Sequence, residues 1–237
     1  GDDILSSPVV VDGSVFVGSN DGNLYAIDAE SGDKQWSFET SDWVRSSPTV
    51  VNETVLVGSL DNALYAVDAE SGEQQWRFET DDGITSSPTV VDETVFIGGL
   101  DSRFYAVDVN TGNLQWSFNT GDLISSSPTV AGGTVFFGSA DKHLYAVDTE
   151  TGTEQWNIET EDWINSSPTV INESVFVGSS DGHLYAIDVN TGDQQWTAEV
   201  GTVLSSPTIL NGTAFVGSYD GGLYAIDTGG NGSSEGS

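Results

Sequence analysis

An all-β fold made of six copies of one four-stranded antiparallel sheet is predicted for this 237-residue chain by three observations. The triplet Ser-Ser-Pro ends at Pro8, Pro48, Pro88, Pro128, Pro168 and Pro207, which are all six prolines, at spacings of 40, 40, 40, 40 and 39 residues. Each copy carries four short β-branched or aromatic runs separated by turn-rich residues. None carries a sustained helical period. Four strands in about forty residues make one blade of a β-propeller, a unit that buries its faces only by stacking on further copies. The expected architecture is a six-bladed β-propeller over residues 1–228, closed into a ring, with a sixth blade that lacks its outer strand.

The second copy shows how each element is specified. It reads SSPTVV, NE, TVLVGS, LDNA, LYAVD, AESG and EQQWRFET from Ser46 to Thr80. The proline sits near the start of the first strand, where a missing N–H is tolerated. Thr54 to Gly58 and Leu64 to Asp68 are nearly continuous apolar runs, as strands buried on both faces should be. Asp21-Gly22 and Asp181-Gly182 mark the hairpin between second and third strands, because both residue types tolerate positive φ; Asp61-Asn62 fills the same slot.

The segment joining third and fourth strands repeats as YAIDAESGDKQW (Tyr25 to Trp36), YAVDAESGEQQW (Tyr65 to Trp76), YAVDVNTGNLQW (Tyr105 to Trp116), YAVDTETGTEQW (Tyr145 to Trp156) and YAIDVNTGDQQW (Tyr185 to Trp196). Asp28, Asp68, Asp108, Asp148, Asp188 and Asp227 suit acceptors for the turn's N–H groups, the glycine a left-handed turn, and the tryptophan packing between blades. This frame resembles the tryptophan-docking motif of the quinoprotein (PQQ-type, BamB-like) β-propeller family. The resemblance covers residues 1 to about 228 and five full motifs plus a partial sixth. It implies a propeller fold and, for the dehydrogenase branch, a pyrroloquinoline quinone with calcium at the ring centre.

The cofactor does not carry over with the blades. A tricarboxylate needs cationic partners, and the chain has only Lys34, Arg45, Arg77, Arg103 and Lys142. With no cysteine there is no vicinal disulfide, thiol nucleophile or zinc–thiolate site. A non-enzymatic branch with no cofactor is expected, and a degenerate quinoprotein dehydrogenase is the remote alternative. Asp21, Asp61, Asp101, Asp141, Asp181 and Asp220 form a sixfold set that suits either hairpin turns or surface Ca²⁺. His143 and His183 occupy equivalent positions and read as surface or packing residues rather than as a metal pair.

The chain has 37 acidic and 5 basic side chains, a formal charge of −32. That excludes nucleic acid as a partner, since almost nothing displaces phosphate counterions. The acids lie in turns throughout the chain rather than in one block, as on the salt-screened surface of a halophile, and a haloarchaeal origin is expected. There is no apolar run long enough to span a membrane, no signal peptide and no methionine, so a processed or excised domain is expected. Residues 229–237 (GGNGSSEGS) have linker composition. Sequons occur at Asn52, Asn165, Asn172, Asn211 and Asn231, with Asn52, Asn172 and Asn211 in the same turn slot; glycosylation there implies export.

Function is sought where copies differ. The loops between blades read SDWVR, DDGIT, GDLIS, EDWIN and GTVL, and the adjacent hairpin tips vary through Asn20, Leu60, Leu100, Ala140, Ser180 and Tyr219. Trp43 and Trp163 are the two tryptophans outside the repeated motif, and Arg45 adds a rare positive charge. Trp43, Arg45, Trp163 and Tyr219 are therefore the expected contact residues for a protein partner or, alternatively, a cell-surface glycan, with inter-blade packing as the structural alternative for both rings. The unpaired edge of the sixth blade is the expected route to self-assembly.

Overall fold

The computed structural model describes residues 1–229, and within them there are 23 strands and no helix. The chain forms two compact units, Gly1–Asn119 and Thr120–Ser237. The first unit holds β1 (Val9–Val11), β2 (Ser14–Gly18), β3 (Asn23–Asp28), β4 (Lys34–Glu39), β5 (Thr49–Val51), β6 (Thr54–Ser59), β7 (Ala63–Asp68), β8 (Gln74–Glu79), β9 (Thr89–Val91), β10 (Thr94–Gly98), β11 (Arg103–Asp108) and β12 (Leu114–Asn119). The second holds β13 (Thr129–Ala131), β14 (Thr134–Gly138), β15 (His143–Asp148), β16 (Glu154–Glu159), β17 (Thr169–Ile171), β18 (Ser174–Gly178), β19 (His183–Asp188), β20 (Gln194–Glu199), β21 (Thr208–Leu210), β22 (Thr213–Gly217) and β23 (Leu223–Asp227). They pair in chain order as antiparallel meanders: three four-stranded sheets in the first unit, then two four-stranded sheets and the three-stranded β21-β22-β23 in the second. The linker-like residues 230–237, with Asn231, lie outside the described residues.

Local chemistry fixes each turn. In five of the six copies the first hairpin is a two-residue turn with both residues at positive φ, as at Asn52 (47°) and Glu53 (61°), the twist that matches two right-handed strands. The second hairpin forms at Asp21-Gly22, as expected. Gly22 alone has positive φ (81°), Gly22 N–H donates to Ser19 O and Ser19 N–H donates to Asn23 O. This is a three-residue loop with its left-handed residue last, not a two-residue primed turn. In the third turn Asp68 Oδ1 accepts the N–H groups of Glu70 (3.2 Å) and Ser71 (2.8 Å), the capping expected of the repeated aspartate.

A bulge follows each of those turns. Ala66 pairs with Trp76 but Val67 pairs with Gln74, leaving Gln75 as the extra residue. Gln75 Oε1 accepts from Thr54 Oγ1 at 2.9 Å, and the same bond recurs from Ser14 to Gln35, Thr94 to Gln115, Thr134 to Gln155 and Ser174 to Gln195. The invariant glutamine before the tryptophan therefore ties the bulge back to the start of the second strand.

Within each unit, sheets stack by one repeated contact. One face of a sheet carries a Leu-Ala pair and the docking tryptophan; it packs on the Val and Tyr face of the next sheet. Leu24, Ala26 and Phe16 meet Val55, Val57, Tyr65 and Val67, and Leu64, Ala66 and Leu56 meet Val95, Ile97, Tyr105 and Val107. The second unit repeats this with Leu144 and Ala146 against Val175, Val177 and Tyr185. The indole N–H of Trp36 reaches across to Ala69 O (3.0 Å), Trp76 to Val109 O (2.9 Å) and Trp156 to Val189 O (3.2 Å). Each ring then lies on the glycine of the neighbouring turn: a Cβ on Gly72, Gly112 or Gly192 would come within 2.7–2.9 Å of the indole. First strands of neighbouring sheets run side by side within each unit. There Ser7 N–H donates to Ser47 Oγ and Ser47 N–H to Ser87 Oγ, while Ser127 N–H donates to Ser167 Oγ and Ser167 N–H to Ser206 Oγ.

The closed six-blade ring expected from the repeat count is not seen in the burial of the terminal sheets. In β23 Leu223 is 77% exposed, whereas its equivalents Leu24, Leu64, Leu144 and Leu184 are at 0%. In β1 Val10 is 62% exposed, and Tyr25 and Ile27 of the same sheet are only half-buried. Six copies supply the sheets, but one face of the first sheet and one of the last remain bare.

The docking contact makes a testable contrast between two glycines with nearly the same φ. Gly72→Ala adds a Cβ into the Trp36 ring at φ +74°, so it should cost roughly 2–4 kcal/mol. Gly32→Ala at φ +76° meets nothing within 4 Å, so it should cost about 1 kcal/mol from backbone strain alone. Chemical denaturation of both variants at high salt checks the difference.

Candidate functional site

The variable loops meet at one end of the sheets. Trp43 O accepts from Leu60 N–H at 2.9 Å, and Val44 N–H donates to Ser19 O at 3.0 Å, so the inter-blade loop is stitched to hairpin tips on both sides. The constant turns meet at the other end, where Ala69 N–H donates to Glu53 O and Val109 N–H to Glu93 O. The division into a variable and a constant end follows the sequence reading.

Trp43 stands on the variable end, 40% exposed. Its N–H donates to Asp42 Oδ1 at 2.7 Å, and its carbonyl also accepts from Ser59 Oγ at 3.3 Å. The Arg45 guanidinium carbon lies 4.2 Å from the centroid of the indole, a cation–π contact. Arg45 Nε donates to Asn20 Oδ1 at 3.1 Å, and Asn20 is itself buried, so the guanidinium is aimed by a fixed partner. Asn20, Asp21, Gly22, Glu39, Thr40, Asp42 and Trp43 line an open cleft of about 500 Å³. The arrangement suits contact with a surface that offers a flat apolar group and hydrogen-bond acceptors beside basic groups.

In the second unit Trp163 is 51% exposed and holds the same backbone pattern, with its N–H on Asp162 Oδ1 (2.9 Å) and its carbonyl accepting from Ser180 N–H (2.8 Å). The Arg45 position is Asn165 there, whose Oδ1 accepts from Ser125 Oγ at 2.9 Å. Neither ring tucks into the packing between sheets. Tyr219 is 77% exposed at the last hairpin tip. Asn20 was legible in the sequence only as a varying tip residue; its role as the anchor of Arg45 needed the fold.

The sixfold aspartates are built into the scaffold. Tyr65 Oη donates to Asp61 Oδ2 (2.8 Å), and the pair recurs as Tyr25–Asp21, Tyr105–Asp101, Tyr145–Asp141, Tyr185–Asp181 and Tyr224–Asp220 at 2.5–2.7 Å. The same oxygen accepts an N–H from the preceding inter-blade loop: Ser41 to Asp61, Asp81 to Asp101, Gly121 to Asp141 and Glu161 to Asp181. Burial opposes ionisation of Asp181, but the Tyr185 hydroxyl and the Glu161 and His183 N–H groups outweigh it and hold its carboxyl below the usual range. His143 and His183 each turn Nδ1 toward the aspartate two residues earlier. Among the described residues no three His, Cys, Asp or Glu groups are placed to hold a metal ion. The hairpin role accounts for this set.

Asn52, Asn172 and Asn211 are exposed and sit at φ 47–55° in the two-residue turns. Asparagine tolerates that left-handed conformation better than most residues, which explains its recurrence in the slot whether or not a glycan is attached. No helix among the described residues is long and apolar enough to cross a membrane.

Repeated four-stranded meanders stacked through docking tryptophans define a β-propeller-class protein. The family model described as "Beta-alanine-activating enzyme, beta-propeller" matches residues 53–235, and the chain belongs to that family. Among solved structures it is similar to BamB from Moraxella catarrhalis, with a TM-score of 0.84 and 21% identity over 96% of this chain and 71% of that one. It is also similar to the computationally designed Ika8 protein, with a TM-score of 0.83 and 17% identity over 93% of this chain and 70% of that one. No curated protein sequence matches it. The expected PQQ-type, BamB-like resemblance is thus supported by both fold and family.

The tyrosine–aspartate pairs carry a pH signature. Burial, followed by the hydrogen bond to Asp61, pushes Tyr65 up from about 10 to about 12. A raised folded-state value means stability is complete below about pH 10 and is lost as pH rises through about 12. Denaturation midpoints should therefore fall across that alkaline window, and Tyr65→Phe should flatten the fall.

Proposed function

We propose that the chain is a non-catalytic interaction module that binds a protein through the variable end around Trp43 and Arg45. The observation that carries this reading is the exposed Trp43 ring with Arg45 anchored above it by Asn20. A flat, preorganised aromatic–arginine pair is the type of group that dominates protein interfaces, because little side-chain freedom is lost on contact. The surrounding Glu39, Asp42 and Asp21 favour a partner patch that is basic. The glycan reading rests on the same ring together with Trp163, and lacks a second aromatic beside either one. The enzyme in the family's description activates β-alanine; our reading places only the propeller in common with it. The sparse cations of the sequence argue against a quinone site, and the sixfold aspartates are already engaged by tyrosine and backbone donors, which leaves little for surface Ca²⁺.

The setting we propose is extracellular and haloarchaeal, with Asn52, Asn172 and Asn211 as accessible glycan acceptors. Few ion pairs offset the −32 charge: among the described residues Arg77–Glu79 (3.0 Å) and Arg103–Asp81 (2.8 Å) involve exposed side chains. Self-repulsion is then left to salt to screen. The melting temperature should rise steeply between about 0.2 and 2 M KCl, beyond the range in which simple screening saturates in ordinary proteins; a flat response would remove the halophilic assignment.

The interaction reading is tested with the chain and its Trp43→Ala/Arg45→Ala variant as baits for envelope proteins in about 2 M KCl, chosen to screen the acidic surface. The expected result is one prey, identified by mass spectrometry, retained by the wild type and by Trp163→Ala but lost by the double variant. Retention of soluble glycans dependent on both tryptophans would favour the sugar reading. Dye reduction dependent on added pyrroloquinoline quinone and calcium would overturn the non-catalytic assignment.

A further inference from the structure

Two inter-blade loops are alike in backbone and unlike in what covers their tryptophan. In the loop after β4, Asp42 O accepts from Thr40 Oγ1 at 2.6 Å and from Ser59 Oγ at 3.1 Å. In the loop after β16, Asp162 O accepts from Thr160 Oγ1 at 2.7 Å and from Ser179 Oγ at 3.1 Å. Val44 N–H donates to Ser19 O, and Ile164 N–H donates to Ser139 O. The two threonines and the hydroxyls of Ser59 and Ser179 belong to buried residues, so both indoles project from equivalent, fixed supports. Above Trp43 lies the Arg45 guanidinium, 4.2 Å from the ring centroid. Among the described residues no cation lies over the Trp163 ring, and that ring is the more exposed of the two.

Copy five lacks both halves of the covering device. Asn165 replaces Arg45, and its amide oxygen is engaged by Ser125 Oγ. Ala140 replaces Asn20, so the acceptor that aims the guanidinium is absent as well. The charge around the ring still suits a cation. Glu159 and Asp162 match Glu39 and Asp42, and Glu161 stands where copy two has Ser41. Lys142, at the neighbouring hairpin tip, lays its ammonium on Glu161 O at 3.0 Å rather than over the indole. An ammonium is strongly hydrated and is best met by oxygen, whereas a guanidinium sheds water readily and stacks flat on an aromatic face.

We infer that Trp163 is a second binding site, which takes the guanidinium group of an arginine carried by a polypeptide partner. The guest occupies over Trp163 the place that Arg45 occupies over Trp43. Arginine is assigned because the chain already makes that contact, on the same backbone support and beside the same carboxylates. A polypeptide source is assigned because free arginine brings a carboxylate, which Glu161 and Asp162 repel. The site stands apart from the function proposed above, whose partner is retained when Trp163 is removed.

Nuclear magnetic resonance reads each indole N–H separately, and Trp163→Phe assigns the peak. The probe is a capped Gly-Arg-Gly peptide, titrated in about 2 M KCl to screen the acidic surface. The Trp163 indole peak should shift saturably and the Trp43 peak should not. The same peptide with citrulline, which is flat but neutral, should bind roughly five- to tenfold more weakly, and free arginine should also bind more weakly than the peptide. Asn165→Arg supplies the internal cation and should abolish the Trp163 response. Arg45→Asn uncovers the other ring and should make the Trp43 peak respond. Both substitutions lie at partly exposed loop positions, so unchanged thermal melts are expected to show the variants folded. No saturable shift at Trp163, or an equal response to the citrulline peptide, overturns the inference. So does a Trp163 response that survives Asn165→Arg. Binding of free arginine as tight as that of the peptide overturns the polypeptide source and assigns the site to a small cation.

Discussion

The structure depends on one contact, the seating of a large side chain of one sheet on a glycine of the next. Three neighbouring pairs show it twice, once as tryptophan on turn glycine and once as valine or isoleucine on strand glycine, and the fifth and sixth sheets show the second form. Glycine is required because the approaching atoms lie where a Cβ would be, and dispersion gains are largest at such close range. The Leu-Ala face and the Val-Tyr face are complementary in shape because these anchors set their spacing. Polar groups follow the same geometry. The indole N–H finds a turn carbonyl, and the serine belt runs where first strands are brought side by side.

Much of this was legible in the chain because it is written repeatedly. The forty-residue period, the four runs per copy and the Asp-x-x-Ser/Thr-Gly-x-x-x-Trp frame specify strand order, turn positions and, among the described residues, a last sheet of three strands. Other features needed coordinates. Asp21-Gly22 marked the hairpin, and the hydrogen bond from Ser19 N–H to Asn23 O fixes its loop at three residues, a length that dipeptide composition does not encode. The repeated glutamine before each tryptophan was visible but had no partner until the bulge placed it opposite Ser14 or Thr54. Ring closure was inferred from a count of copies, whereas closure is a matter of the angle between neighbouring sheets, on which sequence patterning is silent.

The candidate site was legible by subtraction. Once the docking tryptophans are assigned to the scaffold, Trp43 and Trp163 remain, and both prove exposed. What the sequence hid is their difference. Both have the same backbone bonds, but only Trp43 has an arginine above it, because copy two has Arg45 where copy five has Asn165 and because copy one contributes Asn20 to hold it. The distinction arises between residues of different copies, so no single repeat contains it.

The stacking contact is nearest-neighbour in character, and that has a consequence for how the molecule comes apart. In an array of this kind, stability is close to a sum of equal steps, each owned by an adjoining pair of sheets. Within the first unit the middle sheet, β5–β8, is gripped from both sides, by β1–β4 and by β9–β12. The middle sheet of a unit should therefore open last, and a single cooperative transition is not required of such an array. Amide exchange in β23 and β1 would then run ahead of exchange in β6 and β7, which makes the protein a graded material rather than a two-state one.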